Sequence, residues 1–159
     1  MNFSTFRLRK LWTISTVCAA MLLTTSPVLA DDDDEDNYEV RYRHSIMESV
    51  GYSFGALALI FSYRVEGRSD QLVTNAQALA KSASLIPTLF PEGSEGGDAV
   101  LLIWREPEKV AKLAQDTVDA TAALAAAAES GDKAAIAKAF KTAGDSCKAC
   151  HERYKEDDD

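Results

Sequence analysis

From Asn37 to Val65 apolar residues recur at three- and four-residue intervals: Tyr38, Tyr42, Met47, Val50, Phe54, Leu57, Ile60 and Phe61. Arg41, Arg43 and Glu48 fall on other faces, so the stretch predicts an amphipathic helix. Gly51 and Gly55 lie four apart on it and would let another helix or a large flat group approach closely. Gly67 ends this helix, and Ser69 or Asp70 can cap the next, which runs from about Gln71 to Leu85 with Leu72, Ala76, Leu79 and Ala83 spaced for burial. Pro87 to Asp98 carries two prolines and three glycines, which exclude regular structure. Leu89 and Phe90 are too apolar for a solvated loop and are expected to fold back onto the core or onto a ligand.

Ala99 to Trp104 reads as a short apolar turn, and Pro107 suits the first turn of a third long helix. Val110, Leu113, Val118 and the alanine-rich run Ala120 to Ala128 continue it to Ser130-Gly131. Asp132 caps a fourth helix, which turns Ala135, Ile136, Ala139 and Phe140 inward and ends past His151. No stretch alternates with the two-residue period of a strand. Four amphipathic helices with short connections, except one, predict an all-α antiparallel four-helix bundle. The many alanines on the last two helices permit close approach and leave room on one side for a bulky ligand.

The first thirty residues follow another pattern. Arg7, Arg9 and Lys10 precede an apolar run from Leu11 to Leu23, and Val28-Leu29-Ala30 forms a small-residue exit. That is the grammar of a secretory signal peptide cut after Ala30, so export is expected. A retained membrane anchor fits less well, because Thr13, Ser15 and Thr16 interrupt a run already short for a bilayer. Cys18 would leave with the signal. Asp31 to Asp36 reads as a solvated acidic leader, and residues 37–159 as the bundle.

Charge removes some partners. The chain has a formal net charge of -8, and loss of the signal, with three positive and no negative residues, would take it to -11. Such a surface repels nucleic acid and membrane phosphates. No nucleophile–base pair or carboxylate dyad stands in a supporting context, so an enzyme is not expected.

The chemistry concentrates in Cys147-Lys148-Ala149-Cys150-His151. C-x-x-C-H is the attachment pattern of c-type haem: each thiol closes a thioether on a vinyl group and the histidine coordinates iron. On a helix, spacings of three and four place the three side chains on one face, where one flat ligand can meet them. A dithiol redox pair normally opens a helix after a strand, and none precedes Cys147. Zinc needs four ligands, whereas beyond these three the chain offers His44 and carboxylates. A disulfide across this short spacing is strained and gives His151 no task.

Taken together, a signal-like leader, four helices, C-x-x-C-H near the C-terminus, a Gly-Ser-Glu-Gly-Gly-Asp loop followed by Ile103-Trp104, and the ending Cys-Lys-Ala-Cys-His-Glu-Arg-Tyr-Lys resemble the cytochrome c′ family over essentially all of residues 37–159. The resemblance implies one covalently attached haem c per chain, with Cys147 and Cys150 as thioether anchors and His151 as the axial iron ligand. It implies Arg43 beside the haem, Met47 over its distal face, and Lys155 where the family commonly has an arginine near the proximal histidine. Lysine keeps that charge but loses the planar stacking group. Phe90, on the loop, joins this expected haem environment.

The family implies a periplasmic location, five-coordinate high-spin iron, electron transfer, binding of nitric oxide and carbon monoxide at the vacant distal position, and a homodimer through the first two helices. The redox partner is unknown. A second outcome follows if the Met47 sulfur reaches the iron: a six-coordinate low-spin electron carrier. A single methionine at helical spacing is also a common core residue, and His44, three positions before Met47, is better read as exposed or capping than as a ligand. Tyr52, Tyr63 and Trp104 are expected in packing or at an interface.

Overall fold

The computed structural model describes residues 37–62 and 67–156. The signal segment, Cys18, the acidic leader, Tyr63 and Val65 lie outside the described residues. Four long helices, α1 (Tyr38–Ser62), α2 (Ser69–Ala83), α4 (Pro107–Ser130) and α5 (Lys133–Tyr154), and the one-turn α3 (Leu102–Arg105) follow in order. Among the described residues the only β pairings are isolated bridges, Gly96 with Ala99 and Ala99 with Lys155.

Local chemistry sets the helix ends. Asn37 Oδ1 accepts the Glu39 and Val40 amides at 3.0 and 3.4 Å, capping α1. Pro107 occupies the first turn of α4, and Gly131, with φ of 70°, closes it in the left-handed conformation. Asp132 caps α5 by accepting the Ala134 and Ala135 amides. The expected cap of α2 differs. Arg68 occupies the cap position without a side-chain hydrogen bond, and Ser69 and Asp70 sit inside the helix, where Asp70 faces the positive end of the dipole.

α1 packs on α2, α2 on α4 and α4 on α5, giving the antiparallel four-helix bundle. Leu57, Leu79 and Leu124 are fully buried at its centre, and Ala76, Ala83 and Ala143 let the helices approach closely. Between α1 and α5 the arrangement changes along the length. At one end Phe54 stacks on Phe140, with ring centroids 4.6 Å apart, and a Cβ on Gly144 would lie 3.2 Å from Phe54 Cζ. At the other end, where α1 begins and α5 finishes, the two helices face one another across a cavity. Gly51 and Gly55 do not face that gap: both are exposed, and a Cβ at either would meet nothing within 4 Å.

The loop after α2 is more ordered than its composition predicts. Ile86–Thr88 forms a 3-10 turn, and Leu89 and Ser94 are buried. The cause is Arg43, itself only 6% exposed. Its Nη1 donates to the carbonyls of Leu89 (3.2 Å) and Ser94 (3.0 Å), and its Nη2 to that of Gly96 (2.7 Å). The guanidinium carbon also lies 5.4 Å from the Phe90 ring centroid and 5.5 Å from that of Trp104. A buried cation needs such partners, so the loop wraps around it. Gly97 completes the wrap: its φ is +60°, and a Cβ there would meet Val40 Cγ1 at 3.0 Å.

The far end of α5 is fastened to the start of α4. Glu106 accepts hydrogen bonds from Arg153 (2.8 Å from Nη2) and from the Tyr154 hydroxyl (2.6 Å). These donors, with Tyr154 the largest contributor followed by Lys109 and Arg153, hold its carboxyl down from 4.5 to about 2.

Two outcomes are expected. Arg43→Ala leaves buried carbonyls unpaired and should cost on the order of 3 kcal/mol in urea denaturation, with Arg43→Lys recovering less than half; unchanged stability would refute the clamp. The Glu106 contribution has the sign of a depressed carboxylate. It is fully present above pH 4.5 and is lost as pH falls toward about 2. Glu106→Gln should therefore flatten the fall in thermal midpoint across that window, measured by circular dichroism on both proteins.

Candidate functional site

The cavity between α1 and α5 has a volume of about 470 Å³, within the range of small-molecule and cofactor sites. Each wall comes from a different element. α1 presents Val40, Arg43, His44 and Met47 over two turns; α5 presents Cys150, His151 and Tyr154; the wrapped loop supplies Phe90 and Gly97; and Ile103 of α3 closes the back. Lys155, just past α5, stands at the rim with its Nζ 3.9 Å from Asp98 Oδ2.

Of the residues expected around the haem, six line this one cavity: Arg43, Met47, Phe90, Cys150, His151 and Lys155. Cys147 does not. It lies one turn back along α5, half-buried, while Cys150 packs toward Ile103, Val110 and Tyr154. Arg43 faces the cavity while its guanidinium is engaged with the loop carbonyls, so its role is architectural as well as local. Met47 is half-buried and lines the cavity from α1, as His151 does from α5. His44 is exposed and lies 3.7 Å from Glu48, and it too lines the cavity. Trp104 lies outside this cavity, donating its indole N–H to the Pro91 carbonyl.

Several wall residues escaped the sequence reading. Tyr154 carried a usable signal, since it follows His151 by three positions on a helix and must share its face. Val40 and Ala99 carried none, because their places depend on how the loop folds over α1.

The electrostatics suit neutral donor groups. Burial pushes the Cys147 and Cys150 thiols up, the charge of Cys147 adding to the effect at Cys150, so both are protonated thiols at neutral pH. They are not joined to one another. His151 has an exposed edge at the cavity, yet surrounding protein, followed by the positive charge of Lys155, lowers its pKa. Its imidazole is therefore neutral at pH 7, with a lone pair available to a metal. No group of three or more His, Cys, Asp or Glu side chains converges among the described residues, so the zinc reading finds no ligand set there. A flat macrocycle that brings its own four nitrogens needs one protein nitrogen, thiols at its edge and an apolar slot; the cavity supplies His151, Cys150 and apolar walls, with Cys147 one helical turn behind Cys150.

The chain matches the family described as Cytochrome C′ over residues 38–155. Cytochrome c′ of Rhodospirillum rubrum is 32% identical over 144 residues, covering 89% of this chain and 97% of that protein. A cytochrome c-556 of Agrobacterium tumefaciens is 33% identical over 122 residues, with coverage of 74% and 96%. Among solved structures, a ferrous variant of cytochrome c′ from Alcaligenes xylosoxidans with nitric oxide bound is similar at 32% identity and a TM-score of 0.71, covering 76% of this chain and 94% of that one. The cavity between parting helices, its C-x-x-C-H edge and a family match through the whole bundle lead to one assignment: the chain belongs to the cytochrome c′ family, whose members carry covalently bound haem c.

Proposed function

We propose that this protein is a periplasmic cytochrome with one haem per chain, exported by a signal cleaved after Ala30, that transfers electrons and binds nitric oxide or carbon monoxide. The observation that carries the reading is the apolar cavity bounded by His151 on one side and Met47 on the other. Haem held there supplies an iron that exchanges electrons and accepts a diatomic ligand. Cys147 and Cys150 would anchor it covalently, and the neutral imidazole of His151 would be its protein ligand. Met47 would pack over the haem without ligating the iron, leaving a position open to a gas, which would make the resting state five-coordinate and high-spin. Val40, Met47 and Phe90 keep the pocket apolar, which favours an uncharged diatomic ligand over a charged one. No enzymatic turnover is assigned.

Location and assembly rest on further features. No helix among the described residues is long and apolar enough to cross a membrane. Tyr52 and Leu59 are 74% and 59% exposed on the same helix as the uncovered Gly51 and Gly55. Large apolar side chains beside glycines suit close packing of a second copy, and the family resemblance supports a homodimer through α1 and α2.

Optical spectra of the periplasmically matured protein test the site. A broad high-spin ferrous Soret band that moves on adding nitric oxide is the expected result; sharp low-spin bands indifferent to the gas would make Met47 a sixth ligand and the protein a six-coordinate carrier. Met47→Ala should accordingly leave the spin state unchanged and speed gas binding, whereas conversion from low to high spin would identify a lost ligand. For assembly, Leu59→Glu should convert dimer to monomer in sedimentation experiments without loss of haem.

A further inference from the structure

We infer that Glu106 is a positioning residue for His151, holding the last turn of α5 so that the imidazole stays aimed into the cavity. The inference rests on the reading of His151 as the iron ligand and adds a residue remote from the motif.

The need for such a residue comes from His151 itself. Metal-bound histidines usually donate their second ring N–H to a partner that fixes the ring. Among the described residues no hydrogen bond holds the His151 imidazole, and the residue is exposed. Its aim therefore depends on the backbone turn that carries it. That turn is short of support at a helix end, where the last carbonyls have no partner further along the helix.

Glu106 supplies the support. It occupies the cap position of α4, yet its carboxylate caps nothing there, in contrast to Asp132 at the start of α5. The carboxylate is spent on α5 instead. One oxygen, Oε2, accepts from the Tyr154 hydroxyl at 2.6 Å and from Arg153 Nε at 3.0 Å. The other, Oε1, accepts from Arg153 Nη2 at 2.8 Å and from Lys109 Nζ at 2.9 Å. Arg153 and Tyr154 follow His151 by two and three positions, and the His151 carbonyl accepts the Lys155 amide, so all belong to the same turn.

A second set of bonds holds the other side. The Tyr154 carbonyl accepts from the Val100 amide at 3.1 Å, and the Glu156 amide donates to the Asp98 carbonyl at 2.9 Å. The turn is thus held between a side-chain anchor on α4 and a backbone strap from the loop. Tyr154 couples anchor to site: its ring lines the cavity while its hydroxyl sits on Glu106. Charge-assisted bonds with this fork geometry are the strong, directional kind. The side-chain bonds of Glu106 go to Lys109, Arg153 and Tyr154, none of them an expected haem-binding residue, and it is not proposed as one.

The test compares the full haem-loaded chain with Glu106→Ala, Glu106→Gln and Tyr154→Phe. Three readouts are taken: added haem mass, the iron–histidine vibration of the ferrous protein by resonance Raman, and amide hydrogen exchange. Glu106→Ala is expected to retain its haem, to shift or broaden the iron–histidine band, and to speed exchange at Val100 and Lys155 by about tenfold while Leu57 and Leu124 stay protected. Glu106→Gln should fall between, keeping one acceptor oxygen. Tyr154→Phe, which removes a single bond, should move both readouts the same way by less, and it decides the matter if Glu106→Ala does not fold. An unmoved band with parental local exchange would overturn the inference, as would acceleration of all helices alike. A parent protein with haem but no iron–histidine band would overturn the ligand assignment of His151, and with it the proposed aim, while the exchange data still report whether Glu106 holds the turn.

Discussion

A single buried cation sets the conditions for the rest of this structure. Arg43 projects from the second turn of α1 into a place where water does not reach, and its guanidinium must find acceptors within the protein. The carbonyls of Leu89, Ser94 and Gly96 meet that demand only if the segment after α2 folds back across the bundle. Once it does, Phe90 and Trp104 come to lie against the cation and Gly97 against Val40. A glycine-rich stretch that would otherwise be a mobile connector becomes one wall of the cavity. The same fold-back brings Asp98 and Val100 to the end of α5, where they take up backbone bonds.

The second constraint is the geometry of α1 against α5. Aromatic stacking of Phe54 on Phe140 and the small Gly144 draw the helices together at one end. At the other end bulky walls, Arg43 with its loop and Tyr154 with Glu106, keep them apart. The cavity is the space between a tight crossing and a propped one. It places Cys150 and His151 opposite Met47, and burial keeps the thiols protonated and the imidazole neutral. Protonated thiols and a neutral imidazole are the states that the proposed thioether bonds and metal donation would need, and burial favours both.

The bundle was legible because each helix carries its own period and its own stops. Pro107, Gly131 and Asp132 mark boundaries by local chemistry that no tertiary contact has to supply. A misplaced boundary, at Ser69 and Asp70, shows the limit of that grammar: cap-forming residues stand there, but the helix already includes Ser69, one position earlier than a Ser69 cap would need. Gly51 and Gly55 show another limit. Their spacing signals close approach by something, and only the fold reveals that they face outward.

By itself, the sequence determined the helices, the haem-attachment motif and the family, since these depend on residues close together along the chain: a 3.6-residue period, caps, and cysteines and a histidine within one turn and a half. Only the tertiary structure decided that Arg43 organises a loop about fifty residues away, that Glu106 reaches across to Arg153 and Tyr154, and that Cys147 lies off the cavity wall that Cys150 lines. The physical reason is the same in each case. A charged side chain states that it needs a partner, but several loop carbonyls and several cations would satisfy it equally well, and the choice among them is made by which ones the packed helices bring within hydrogen-bonding distance.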